Sequence, residues 1–152
     1  MNEEASLLRV CSLLNRYKAK YLIVGGRACW LHGYVRATVD VDILVPEDRE
    51  NHQRIIAALS ELDDHAAAEL TMEDFVDNVV ITVADEVQVD VSTRAWKVGY
   101  DEAHKSALCK TVEGVEIPYI DLKTLIKSKS THREQDRIDV EYLRSIERDI
   151  AK

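Results

Sequence analysis

"YLIVGGRACWLHGYVRATVDVDILV", residues 21–45, holds two apolar runs joined by a glycine pair and a mixed stretch. The first run, 20–24, reads as a short strand ended by Gly25-Gly26. "RACWLHG" then reads as a short helix able to stop at Gly33. "TVDVDILV" alternates strictly, with Val39, Val41 and Ile43 on one face and Asp40 and Asp42 on the other. Two carboxylates one residue apart in such a strand repel by about 4 kcal/mol at ~4 Å and an effective dielectric near 20. Either one takes a proton or a divalent cation joins them. A bare D-x-D also occurs on edge strands whose acidic face points into water, so its neighbours must decide.

Working outward, residues 4–18 carry Leu7, Val10, Cys11, Leu14 and Tyr17 at a helical period. Pro46 stops the second strand, and 48–62 reads as a helix with Ile55, Ile56, Leu59 and Leu62 inward. "NVVITVADEVQVDVST" predicts a hairpin turned at Asp85-Glu86, with Asp90 on its second arm. "SALCKTVEGVEIPYI" predicts another, turned at Glu113-Gly114. Asp121 is placed to cap a helix over 122–130, and 134–149 reads as a last amphipathic helix. Helices first, strands in the middle and helices last predict an α+β fold: a small mixed β-sheet with flanking helices on one side, in one domain over 1–152.

The composition, 46% apolar and 32% charged, is that of an ordinary globular protein. No apolar run reaches the ~18 residues of a membrane span. The start "MNEEASLLRV" is acidic where an export signal is basic, so a cytoplasmic location and no membrane partner are expected. Cys11, Cys29 and Cys109 have no metal-ligand spacing and read as free thiols in apolar contexts. A net charge of −8 disfavours an extended nucleic acid partner, because diffuse phosphate attraction needs a basic surface.

Three features weigh on the aspartate pair. Asp90 lies mid-strand, where aspartate is disfavoured, on the face opposite Val87, Val89 and Val91. A neighbouring strand could bring it beside Asp40 and Asp42; alone it is weak evidence. Gly25-Gly26 between a strand and a helix lets backbone approach a ligand, although a plain tight turn is the simpler reading. The pair fits neither the G-x-x-x-x-G-K-[ST] nor the G-x-G-x-x-G phosphate loop. Arg36 and Thr38 enter the strand ahead of the aspartates on their face, as an ion pair or as a phosphate contact.

A glycine pair ending a strand, a short helix, D-x-D flanked by apolar residues and a later strand aspartate together resemble the polymerase-beta-like nucleotidyltransferase superfamily. The string from Gly25 and Gly26 through Ala28, His32, Gly33, Arg36, Thr38, Asp40 and Asp42 is similar to its small bacterial abortive-infection branch. "LIKSKSTHREQDRIDVEYL" matches that branch's L-x-x-x-K-x-x-x-R-x-x-D-x-x-D at Leu125, Lys129, Arg133, Asp136 and Asp139. The resemblance covers roughly 20–145. Relatives often carry lysine where Gln135 stands, and the larger toxin members have a further C-terminal domain for which this chain has no length.

The resemblance implies an enzyme that moves a nucleoside monophosphate from a nucleoside triphosphate (NTP) to a hydroxyl acceptor, with release of pyrophosphate. The acceptor would be a small molecule, a protein or an RNA end. It implies Mg²⁺, with Mn²⁺ as the alternative, on Asp40, Asp42 and Asp90, and Asp90 as proton acceptor. It implies Gly25 and Gly26 at the phosphates, Arg36, Lys129 and Arg133 neutralising them, Thr38 supporting, and Asp136 orienting Lys129. Asp139 reads as a charge favoured by the helix dipole, and His32 as packed under the strand. Trp30 and Trp96 read as core or rim rather than base-stacking platforms, and Asp63-Asp64 and Asp85-Glu86 as solvated.

The alternative is a nucleotidyltransferase-fold toxin–antitoxin component that acts mainly by binding or modifying a protein partner, such as a small helical protein. An intact set of three aspartates disfavours a pure binder. An aspartyl-phosphate phosphatase would want Thr or Val where Leu44 stands, and the upstream glycine pair fits it poorly.

Overall fold

The computed structural model describes residues 2–152 and orders them as a mixed six-stranded sheet with seven α-helices among those residues. Helix α1 spans Glu3–Arg16. Asn2 Oδ1 accepts from the Ala5 amide at 2.7 Å, and Glu3 and Glu4 occupy the positive first turn. It buries Leu7, Val10, Cys11, Leu13 and Leu14. Strand β1 is Leu22–Val24, α2 Gly25–Leu31, β2 Val41–Leu44 and α3 Arg49–Leu59, the last capped by Asp48 at 3.1 Å from the Glu50 amide. A 3-10 turn at Ala66–Glu69 and helix α4 at Met72–Asp77 lead to the hairpin β3 Val80–Ala84 and β4 Gln88–Ser92.

A two-stranded ribbon follows, β5 Arg94–Ala95 with β6 Val98–Gly99, and then α5 Tyr100–His104. The second hairpin is β7 Leu108–Val112 with β8 Val115–Tyr119. Helices α6 Leu122–Ser128 and α7 Glu134–Ile150 close the chain. The sheet order is β3-β4-β2-β1-β8-β7; β2–β4 and β1–β8 pair parallel and the other neighbours antiparallel.

Register sets the two faces. Ile23, Ile43, Val91 and Ile81 stand opposite one another across β1, β2, β4 and β3, and all are buried. One residue along, Val24, Asp42, Asp90 and Thr82 make the matching row. Period-2 alternation therefore sends every branched residue of that first row into the core and the polar row to the other side.

Several expectations from the sequence are corrected. The strand carrying the D-x-D begins only at Val41, and Val39 is 82% exposed rather than inward. The cause is the neighbour: β1 ends at Val24, opposite Asp42, and Gly25 at φ +66 turns the chain into α2, so nothing pairs with residues 38–40 on that side. Arg36 and Thr38 thus lie in an irregular strap, not a strand. The strap keeps its alternation with Arg36, Thr38 and Asp40 half-buried and Val35, Ala37 and Val39 exposed.

Asp121 occupies the position before α6, but its carboxylate takes a hydrogen bond from Ser106 Oγ at 2.9 Å instead of capping. Asp85 and Glu86 are engaged, not solvated. Asp85 accepts from the amides of Asp64, Ala66 and Glu86, and Glu86 pairs with Arg9 at 2.9 Å. Partial burial works against the charge of Asp85, yet those amides outweigh it and hold its carboxyl below the usual range. Cys11 and Cys29 are buried, whereas Cys109 is exposed on the edge strand β7. No helix of the described residues is long and apolar enough to cross a membrane.

Candidate functional site

The register of three strands and one bend builds the site. Asp42 on β2 and Asp90 on β4 are direct neighbours across the parallel pair, and Asp40 precedes β2 on the same side. Thr82 Oγ1 donates to Asp90 Oδ1 at 2.8 Å, which fixes that carboxylate from the outer strand. Val24 is opposite Asp42, so the bend that follows it lies against the aspartates. A Cβ on Gly25 would fall 2.0 Å from Asp42 Oδ2, and one on Gly26 would fall 2.7 Å from Thr38 Oγ1 and 3.3 Å from Arg36 Nη2. Only glycine lets the backbone approach these side chains so closely, and at Gly25 the positive φ adds a second reason.

Electrostatically the triad is unsettled. Burial first, and then the charge and hydrogen bonding of Asp90, push Asp42 up to about 7; Asp40 adds to this and Lys129 opposes it. Asp40 is raised by burial and by Asp90, with Arg27 opposing. Arg27 itself is buried, donates to the Glu3 carbonyl, and leaves its Nε without a partner among the described residues. Three clustered carboxylates at neutral pH thus hold on to a proton that isolated aspartates would release.

The donor set is all oxygen, as Mg²⁺ and Mn²⁺ prefer, and such ions retain waters instead of requiring a full protein cage. Among the described residues no group of three or more His, Cys, Asp or Glu side chains, the aspartate triad included, is arranged to hold a metal ion. The triad is an open carboxylate face, and its mutual repulsion is the kind a divalent cation relieves.

A second cluster stands beside it. Lys129 ends α6, is buried, and donates through Nζ to Asp139 Oδ2 at 2.8 Å, with Asp136 Oδ1 at 3.6 Å. Arg36 Nη2 donates to the same Asp139 oxygen at 3.1 Å. Its Nε lies 3.1 Å from Asp139 Oδ1 but is not aimed at it. Gln135 Nε2 donates to Oδ1 at 2.8 Å. Asp139 is 0% exposed. Burial alone would raise it, but Lys129 and Gln135, aided by Arg36, hold its carboxyl below the usual range.

Asp139 is therefore no solvated helix charge but the anchor of both cations. Asp136, expected to orient Lys129, is mainly the acceptor for Thr131 Oγ1 at 2.6 Å, and Arg133 lies exposed 3.9 Å away.

One cleft of about 990 Å³ is lined by Gly25, Gly26, Arg36, Thr38, Asp40, Asp42, Asp90, Lys129, Arg133 and Asp136. Ser92, Ala95, Trp96, His132 and Gln135 also line it, and nothing in the sequence reading singled them out as binding residues. His32 lies elsewhere: Nε2 meets the Ile120 carbonyl at 2.8 Å and the ring sits edge-on to Tyr119, a packing role. In comparisons with known proteins, no family model matches the chain and no curated relative does.

Proposed function

We propose that this protein is a divalent-metal-dependent nucleotidyltransferase of the polymerase-beta-like type. It would transfer a nucleoside monophosphate from an NTP to a hydroxyl acceptor and release pyrophosphate. The observation that carries the reading is the side-by-side placement of Asp42 and Asp90 across parallel strands, with Asp40 adjacent, against a glycine bend that tolerates no side chain.

Asp40, Asp42 and Asp90 would hold Mg²⁺ or Mn²⁺, which supplies charge stabilisation to the entering and leaving oxygens of an in-line displacement. The bend at Gly25 and Gly26, free of side chains of its own, would let phosphate oxygens approach main-chain amides next to Asp42 and Thr38. Lys129 and Arg36, already paired with Asp139, would line the triphosphate as pre-ordered donors that share their charge between Asp139 and the phosphates, without having to order flexible side chains at the moment of binding. Arg133, exposed at the rim, extends that wall. Asp90, which already accepts from Thr82 Oγ1, would accept the proton of the acceptor hydroxyl as its oxygen attacks the α-phosphorus and the bond to pyrophosphate breaks.

The test is incubation with α-labelled NTPs, Mg²⁺ and a bacterial extract. Wild type should label an acceptor, and Asp40→Asn and Asp42→Asn should not. Equal labelling by wild type and both variants removes the assignment.

A further inference from the structure

The cleft has a second wall of different chemistry. Beyond Asp90 on β4 come Ser92, then Ala95 and Trp96 at the tip of the β5–β6 ribbon, with Val80 from β3 paired opposite Ser92. Ala95 pairs with Val98, so Trp96-Lys97 is a two-residue turn. Trp96 alone of these two has a positive φ, +57, a region that favours glycine in such turns. A bulky aromatic residue in that region is an outlier, and such outliers collect at functional sites. Its side chain is also out of place for packing. Trp96 is 46% exposed, whereas Trp30 packs against the core. Lys97 Nζ lies 5.8 Å from the Trp96 ring centroid, which steadies the ring and adds positive charge beside it.

From this geometry we infer that Trp96 is a stacking platform for a nucleobase. The cleft is bipolar: Arg36, Lys129 and Arg133 offer charge to an anion, while Val80, Ala95 and Trp96 offer an apolar, π-faced surface past Asp90. A molecule with phosphates at one end and a flat heterocycle at the other satisfies both, and aromatic platforms accept any base because every base has a π-face. The choice of a nucleobase as the flat group rests on the nucleotidyltransferase reading. The platform itself rests on the strained, exposed ring. The base belongs either to the NTP or to a nucleoside-bearing acceptor.

The chain has two tryptophans, so Trp30→Phe leaves Trp96 as the single indole reporter. Its fluorescence is titrated with nucleosides, with NTPs and with N-acetyltyrosinamide, all without divalent metal. Saturable quenching by nucleosides is expected, lost in Trp96→Phe because the reporter is gone. If nucleosides still quench when an NTP saturates the cleft, the base is the acceptor's; if the NTP competes them away, it is the NTP's own.

Trp96→Gly should move two quantities in opposite directions. The relaxed turn raises the melting temperature, while affinity for the quenching ligand, measured by calorimetry, falls roughly ten-fold. A residue with only a structural role would not give that split. Unchanged affinity in Trp96→Gly overturns the inference, as does quenching by the tyrosine amide and by no nucleoside. Quenching that persists in a protein without transferase activity would sink the enzyme reading and leave the platform standing.

Discussion

Asp42 on β2 and Asp139 on α7 both feel Lys129, yet their surroundings drive them in opposite directions. Asp139 is the more deeply buried, and by burial alone it should be the harder to ionise. It is the one held ionised, because Lys129, Arg36 and Gln135 all donate to it. Asp42 is raised, by burial first and then by its nearest strand neighbour, another carboxylate, with only Lys129 opposing. Burial pushes both carboxyls up, and the partners decide whether that push is reinforced or overcome. The lesson is a division of labour. The α7 cluster is electrostatically complete and holds a geometry, whereas the strand triad carries unresolved repulsion of the kind that a bound cation removes.

The strongest way to break this contrast is to remove the anchor. Asp139→Ala would leave Lys129 buried and Arg36 half-buried without their shared anion, and breaking one side of a buried ion pair costs about 3–5 kcal/mol. Asp136→Ala, which loses a threonine hydroxyl, the exposed Arg133 and a 3.6 Å approach to Lys129 that leaves the lysine still bonded to Asp139, should cost about 1–2 kcal/mol. Urea denaturation of the two variants measures the difference. Equal costs would mean that Asp139 is no more an anchor than its neighbour.

Next in size is the bend. Gly25→Ala meets both a positive φ and the Asp42 carboxylate, with Cβ 2.0 Å from Oδ2, so either the bend opens or Asp42 is displaced. Gly33 also has a positive φ, +98, but nothing stands within 4 Å of an added Cβ. Both substitutions carry a backbone penalty of about 1–3 kcal/mol. Only Gly25→Ala should also weaken Mn²⁺ binding, followed by calorimetry. If Gly33→Ala weakens it as much, the close approach of Gly25 to Asp42 is not what shapes the site.

These contrasts also mark what the sequence makes legible. The strict alternation around Asp42 and Asp90 places each carboxylate on the face opposite the valines, and the glycine pair announces the bend between β1 and α2. Those signals are local and have a period. Asp139 has no such signal, because an acid on an amphipathic helix looks the same whether its face meets water or two cations from distant segments. The strap 34–40 alternates like a strand, but whether it pairs depends on where β1 stops, a tertiary fact. Asp85 was misread for the same reason: its amide donors include Asp64 and Ala66, which the fold brings to the hairpin tip. The sequence reads Trp96 as core or rim and not as a stacking platform, because the positive φ of its turn is a backbone angle that composition does not reveal. The shorter elements, α4, α5 and the β5–β6 ribbon, fall below the length at which periodicity can be read.

The last contrast tests the triad from the other direction, since here a substitution should stabilise. Asp42 has a folded-state pKa of about 7, above the ordinary carboxylate value, so the folded protein retains a proton that the unfolded chain has already lost. The stability linked to that proton is fully present below the ordinary value and is gone once pH has risen through about 7. Asp42→Asn removes the titration and the repulsion with Asp90 together. Without divalent metal the variant should match wild type near pH 4, gain on it as pH rises, and stand more stable at pH 8 by up to about 4 kcal/mol, the ceiling set by the raised Asp42 pKa. Mn²⁺ should then close the gap by stabilising wild type at pH 8 while leaving the variant nearly unmoved. Parallel stability curves for the two proteins from pH 4 to 8 would mean that Asp42 is not under repulsion, and the contrast with Asp139 would reduce to one of burial.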